Sequence, residues 1–378
     1  KKRLLILMSD TGGGHRASAQ AIDQALQDQF PGRIDVTIKD IWTDHAKWPF
    51  NKFVPMYRFV AKRPILWRAF YAYGSFPPTK ILTELDSQRL GYTRFKDAME
   101  AANPDFVVSV HPLCQLIPIS IVREMNRKRV DKPRIPFVTV VTDLGSAHQC
   151  WFDRRADAVY VPSEAVRKIA LRNSIDPKKI IMKGLPIRPP FWRASEPKEL
   201  ARRALGIAQN AKTVLLMGGG DGVGGLGNIA TEIAKKLREL DLSTQLVVIC
   251  GHNTRLWEQL QQKLVKHTNN QQQRCSNSCP PGIPSTLSAS FIMNQTSTLI
   301  DNLVPTKLKV SVQGFVTNID QWMGAADLLV TKAGPGTIAE AMTRGLPIVL
   351  SSFLPGQVCD FFVSYLHYCL FCLDYLIT

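Results

Sequence analysis

The 378-residue chain has no run of about 20 consecutive apolar residues, so nothing in it reads as a helix that crosses a bilayer. The eight cysteines could suggest disulfides, but no metal-ligand spacing is complete: Cys275 with Cys279, or Cys369 with Cys372 beside His367, lacks the second spaced pair that a tetrahedral zinc site needs, and no metal site is expected. Cys114, Cys150 and Cys250 sit in or beside apolar runs and read as free thiols of a reducing compartment. The glycine loop that opens the chain lacks the Lys-Ser/Thr pair of a nucleotide-hydrolysing loop, which argues against that class. Acidic residues are short, with 31 Asp plus Glu against 47 Lys plus Arg and a net charge of +16. Such a balance favours an acidic partner: nucleic acid, anionic lipid or a phosphorylated substrate. No nucleic-acid recognition module accompanies the basic residues, so nucleic acid is not expected.

What is present is a repeating alternation. Apolar runs followed by glycine-rich turns and helical stretches recur at Leu4 to Met8, Phe106 to Val110, Phe137 to Val141 and Ala158 to Val161, then at Val214 to Met217, Leu246 to Cys250, Val310 to Gln313 and Leu328 to Val330. This is the pattern of parallel sheets with crossover helices, and the length suits two cores. The prolines of Gly184-Leu185-Pro186-Ile187-Arg188-Pro189-Pro190 hold an extended linker, which places one domain at 1–190 and a second at 191–357. Two segments break the order. Residues 257–305 fade into Gln, Ser, Asn and Pro and read as a disordered insertion, and 358–378 form an apolar tail without helical or alternating spacing. The first residues enter a strand without an initiator Met, which points to a leader already removed.

Three strand-to-helix junctions carry glycines. Thr331-Lys332-Ala333-Gly334-Pro335-Gly336-Thr337 follows an apolar strand, and a helix beginning near Thr337 aims open amides and a positive dipole end at an anion; a diphosphate fits there. Glu340, one turn in, suits the two hydroxyls of a ribose. The same junction also serves as a plain packing turn, and residues alone leave both readings open. Gly218-Gly219-Gly220-Asp221-Gly222 imitates a dinucleotide fingerprint, but the next strand ends in Gly251-His252-Asn253, without the acidic residue of a dehydrogenase. Gly251 and Asn253 suit a base or sugar contact better. The third junction, Thr11-Gly12-Gly13-Gly14-His15, puts an imidazole where a phosphate loop would use lysine, and imidazole can take a proton from a hydroxyl near neutral pH. A histidine that merely caps the helix is the competing reading.

In order and spacing, Gly12-Gly13-Gly14-His15, His111-Pro112, Thr142-Asp143-Leu144, Gly184 to Pro189, Met217 to Gly220, Gly314-Phe315-Val316 and Lys332 to Thr337 resemble the plant monogalactosyldiacylglycerol synthases. More distantly they are similar to bacterial lipid glycosyltransferases. The resemblance implies an α/β glycosyltransferase-B fold: two Rossmann-like domains facing a cleft, the acceptor in the first and the nucleotide sugar in the second, with the second domain incomplete. It implies a UDP-galactose-dependent hexosyltransferase that needs no metal or cofactor, inverts the sugar and acts peripherally on the chloroplast envelope. His15 takes the role of general base. Gly218, Gly219, Gly220, Gly251, Asn253, Phe315, Val316, Gly334, Pro335, Gly336, Thr337, Glu340 and Gln357 take the UDP-sugar. Phe315 and Val316 face uracil, and Gln357 faces a galactose hydroxyl.

The implied acceptor is diacylglycerol, with an anionic lipid such as phosphatidylglycerol as activator and room for a homodimer. Gly13, Gly14, Trp48, Pro49, Arg58, Lys62, Arg63 and Trp67 are the acceptor and membrane residues. From residues alone, aromatics between Trp42 and Tyr73 interleaved with Lys47, Lys52, Arg58, Lys62, Arg63 and Arg68 suit a headgroup-level face, although part of them could be core. After Gln357 the chain departs from the family, where an acidic residue and a Gly-Asn pair are expected and Val358-Cys359 stand instead. Together with the insertion at 257–305, the tail therefore reads as a translated intron or a defective gene model. A diacylglycerol glucosyltransferase or other UDP-sugar lipid glycosyltransferase, and a catalytically impaired lipid-binding variant, are the alternatives.

Overall fold

The computed structural model describes residues 1–11, 13–61, 63–194, 196–218, 225–240, 242–265 and 308–352. Gly12, Lys62, Gly219, Gly220, Gln357, most of the expected insertion and the whole tail 358–378 lie outside these residues, as do the side chains of Arg58 and Trp67. Two compact units are resolved: one comprises Lys1–Ala194 with Ala333–Gly345, the other the described residues of 195–332 with Leu346–Ser351.

The first unit is built on a sheet of order β2-β1-β3-β4-β5-β6, with strands Lys2–Met8 (β1), Ile34–Asp40 (β2), Phe106–Ser109 (β3), Phe137–Val140 (β4), Ala158–Val161 (β5) and Ile180–Met182 (β6). All neighbours pair in parallel, with Leu4 opposite both Val36 and Phe106. Parallel strands are covered on both faces, which is why β1 is a continuous apolar run. Leu5, Leu7, Val107 and Phe137 pack on one side and Leu4, Ile6, Val108 and Val138 on the other. From β1 the chain passes through the helix Gly13–Gln29 to β2 at one edge, whereas from β3 it proceeds to β4 on the opposite side. The order therefore reverses between β1 and β3, and the loops leaving these two strands flank the crevice where open α/β sheets bind ligands.

The second unit repeats the plan. Its sheet has the order β11-β10-β7-β8-β9, with strands Lys212–Met217 (β7), Thr244–Ile249 (β8), Leu308–Gln313 (β9), Leu328–Lys332 (β10) and Ile348–Ser352 (β11). The reversal falls between β7 and β10, so the loops from Met217 and from Lys332 leave at the switch point of this sheet. Leu216, Leu246, Val248 and Val310 form its core with Ala230 and Ala234 of the helix Leu226–Glu239.

Three strands escaped the sequence reading: β2, β6 and β11, each at a sheet edge. Residues 257–265, assigned by sequence to a disordered insertion, are helical, in Thr254–Leu260 and its continuation Gln261–Val265. The indole of Trp257 and the amide of Gln261 both donate to the Val312 carbonyl, at 3.2 and 3.0 Å, which ties this segment to β9. The late helix starts at Pro335, two residues before the expected Thr337.

Candidate functional site

In the first unit the loops after β1 and β3 meet. His15 lies in the first turn of Gly13–Gln29, and its Nδ1 stands 2.9 Å from the carbonyl oxygen of Val110 and 3.0 Å from Thr142 Oγ1. A carbonyl only accepts, so Nδ1 carries the hydrogen and Nε2 holds the lone pair. Burial pushes the imidazole down to about 4, opposed by the Val110 hydrogen bond and by the charge of Asp10. The residue as a whole is only partly buried, which moderates the shift. At neutral pH it is uncharged and able to accept a proton. Asp10 is fixed in turn: its amide donates to the buried Asp40 carboxylate at 3.0 Å, and its own carboxylate receives Arg16.

Gly13 and Gly14 are exposed, and a Cβ added to either would meet nothing within 4 Å, so internal packing does not require glycine there. Around His15 stand groups that carried no assigned role. His111 presents its ring at 4.5 Å centroid distance and 67°, and Trp151 lies at 6.1 Å. The Trp151 indole donates to Asp143 Oδ2 at 2.7 Å, yet burial still pushes the Asp143 carboxyl up to about 7. His111 and Thr142-Asp143 were legible as motifs. Their contacts with His15 were not, because they join residues about a hundred positions apart and one partner is a backbone carbonyl.

Gly334 is the N-cap residue of the helix Pro335–Thr343, and Pro335 occupies its first position, where a missing N–H costs nothing. Among the described residues no side chain caps this helix, so the first-turn amides of Gly336 and Thr337 lie open at a positive dipole end. A Cβ at Gly336 would also meet nothing within 4 Å. Glu340, expected to hold a ribose, is buried and accepts from Arg188 Nε and Nη2 at 2.9 and 2.6 Å. Arg188 of the linker was not assigned a role from sequence.

In the second unit Phe315 is 57% exposed and stacks on His252 at 4.1 Å and 14°. Val316 follows it in the loop after β9, and Gly251 takes a positive φ of 61° just after β8. Asn253 caps the helix Thr254–Leu260, its Oδ1 accepting from the Leu256 amide at 3.0 Å, so that oxygen is engaged in the fold. Gly218 is buried at the end of β7.

The predicted membrane stretch is a run of helices, Phe53–Ala61, Pro64–Ser75 and Pro77–Ala102. Trp48, Met56, Phe59, Ile65, Tyr73 and Phe76 are exposed, Ile65 by 83%, and the Arg63 guanidinium covers Phe59 at 3.7 Å. Pro49 follows Trp48 through a cis peptide bond. Trp42 is instead core: it packs edge-on against Phe95 and donates to the Leu113 carbonyl at 3.0 Å. Among the described residues no helix is long and apolar enough to cross a membrane, and no group of three or more potential ligands is placed to hold a metal. An apolar cavity of about 700 Å³ on the first sheet, lined in part by Ile22, Leu26, Phe106 and Tyr160, contains none of the predicted site residues.

Comparison with known proteins bears on the family and the fold. The family model of monogalactosyldiacylglycerol (MGDG) synthase matches residues 15–187, and that of the glycosyltransferase family 28 C-terminal domain matches 291–353. The chloroplastic monogalactosyldiacylglycerol synthase of Spinacia oleracea is 38% identical over 365 residues, covering 94% of this chain and 60% of the relative. Monogalactosyldiacylglycerol synthase 3 of Arabidopsis thaliana is 36% identical over 360 residues, covering 94% and 68%. The chain thus spans about 60% of the length of the first of these relatives. A UDP-GlcNAc 2-epimerase from Neisseria meningitidis, solved with UDP-GlcNAc, superposes with a TM-score of 0.50 at 12% identity, covering 99% of this chain and 92% of that one, a likeness of fold. Two parallel-sheet α/β units of the glycosyltransferase-B type, the histidine-bearing glycine junction and this level of identity lead to one conclusion: the chain belongs to the monogalactosyldiacylglycerol synthase family.

Proposed function

We propose that this chain transfers galactose from UDP-galactose to the free hydroxyl of 1,2-diacylglycerol, with inversion at the anomeric carbon, at a plastid envelope membrane. The observation that carries this reading is the state of His15: Nδ1 is committed to the Val110 carbonyl, and Nε2 has no hydrogen-bond partner among the described residues. The acceptor oxygen bonds to the anomeric carbon as the bond from that carbon to the diphosphate breaks. Nε2 takes the hydroxyl proton. Asp10 and the Val110 carbonyl stabilise the imidazolium that forms.

The amides of Gly336 and Thr337 receive the negative charge that grows on the departing diphosphate. Phe315, already stacked on His252, offers a flat face to uracil. Glu340 receives the ribose in competition with Arg188, so that pair must share or exchange its hydrogen bonds when nucleotide arrives. Exposed Phe59, Ile65, Tyr73 and Phe76 alongside Arg63, Arg68 and Lys52 suit peripheral docking on anionic lipid, phosphatidylglycerol included.

The test is a screen of UDP-galactose, UDP-glucose and UDP-N-acetylglucosamine on diacylglycerol liposomes, following UDP release and product stereochemistry. UDP-galactose should give the β-product. His15→Ala should slow turnover on the order of 10²–10⁴-fold while the protein stays folded. Full turnover in that variant would remove His15 from this role.

A further inference from the structure

We propose that His111 is a positioning residue: it clamps the far end of the His15 loop through Thr11, and so keeps the His15 lone pair on Nε2. The proposal rests on the reading of His15 as base. Two successive residues just after β3 grip the loop after β1, one at Thr11 and one at His15. Val110 takes His15 Nδ1 on its carbonyl, and His111 Nε2 lies 3.0 Å from Thr11 Oγ1.

The tautomer of His111 follows from its other nitrogen. Nδ1 accepts from the Leu113 amide at 3.2 Å, so it carries no hydrogen, and Nε2 must be the donor to Thr11. Both nitrogens are thereby spent. The ring is 2% exposed, so it reaches neither solvent nor an acceptor hydroxyl, which excludes it as a second base. Protonation would break the Leu113 bond and place a cation in edge contact with His15, and burial likewise holds His111 well below the ordinary histidine range.

Behind the ring the clamp is braced. The His111 carbonyl accepts from Ser109 Oγ at 3.2 Å and Gln115 Nε2 at 3.1 Å, and Thr139 Oγ1 donates to Gln115 Oε1 at 2.7 Å. Ser109, Gln115 and Thr139 are all buried, so the network is shielded from water. The titratable groups around His15 are Asp10 in its own loop, His111 from β3, and Asp143 beyond the Trp151 ring. Of these, His111 is the one tied to the loop at Thr11.

Three variants separate clamping from mere capping of the turn after β3. His111→Gln carries an amide at the place of Nε2 and retains a donor for Thr11. His111→Asn carries its oxygen at the place of Nδ1, keeps the Leu113 cap and loses Thr11. Thr11→Val is isosteric, removes only the partner, and serves if the histidine variants fail to fold.

Turnover with UDP-galactose and the ring ¹⁵N resonances of His15 are read in each. The expected result is near-normal kcat in His111→Gln. His111→Asn and Thr11→Val should lose on the order of 10²-fold in kcat with donor KM unchanged. In these two the His15 resonances should show mixed tautomers, and the titration midpoint should move up from about 4 toward 6.5 as water enters. Normal turnover and an unchanged tautomer in His111→Asn would overturn the proposal, as would equal losses in the Gln and Asn variants. A changed tautomer with unchanged turnover would support the clamp and instead remove His15 as the base.

Discussion

The junction at His15 and the junction at Gly336 are both strand, glycine turn and helix, yet their polar groups are used differently. At the first, Thr11, His15, His111 and Asp143 each have a partner within the protein, drawn from segments up to about a hundred residues away. At the second, no side chain among the described residues caps the helix, and the amides of Gly336 and Thr337 are left open by them. The exposed face of Phe315 belongs with the second kind. A group that must transfer a proton needs its tautomer fixed in advance, whereas a group that only receives a ligand is best left unsatisfied until the ligand arrives.

The contrast breaks if changes at open groups harm the fold, or if changes at committed groups act only on ligand. The largest effect should follow Gly336→Val. A Cβ there meets nothing within 4 Å among the described residues, so thermal stability should hold while UDP affinity, read by calorimetry, falls by about 2–3 kcal/mol, or roughly 10²-fold. Unchanged affinity would mean that the diphosphate lies elsewhere.

Asp143→Asn probes the committed side. A carboxyl raised to about 7 contributes stability that is whole below its unfolded value near 4 and is lost as pH rises through 7. Asn keeps an oxygen for the Trp151 indole but cannot ionise. Discounted for partial exposure, the variant should be more stable than the parent by about 1–2 kcal/mol at pH 8 and nearly equal to it at pH 4 in denaturant titrations. An advantage that does not vary with pH would sink the idea. The smallest effect belongs to Phe315→Ala, expected to weaken UDP by about 1 kcal/mol with no change in melting temperature.

What the sequence made legible divides along the same line. Continuous apolar runs such as Leu4 to Met8 announce interior parallel strands, because both faces are covered. The edge strand β2 alternates partly buried and exposed residues and carries Asp35, Lys39 and Asp40, so it lacks that mark. β6 has three residues, too few for any period. Within the site, glycines and a histidine at a helix start are visible locally. The partners that set their chemistry are not: Arg188 reaches Glu340 across 152 positions, and His111 reaches Thr11 across 100. Asn253 shows the converse, since a residue type suited to a ligand also suits an N-cap, and its oxygen serves the cap.

Strand β1 is bonded along both edges and enclosed from Leu5 to Met8. Such a strand has no local route of opening, because releasing it would undo the neighbours on either side. The imidazole of His15 thus follows a strand that cannot open without its neighbours, and the exposed glycines between them leave the ring's surroundings uncrowded without loosening that anchor.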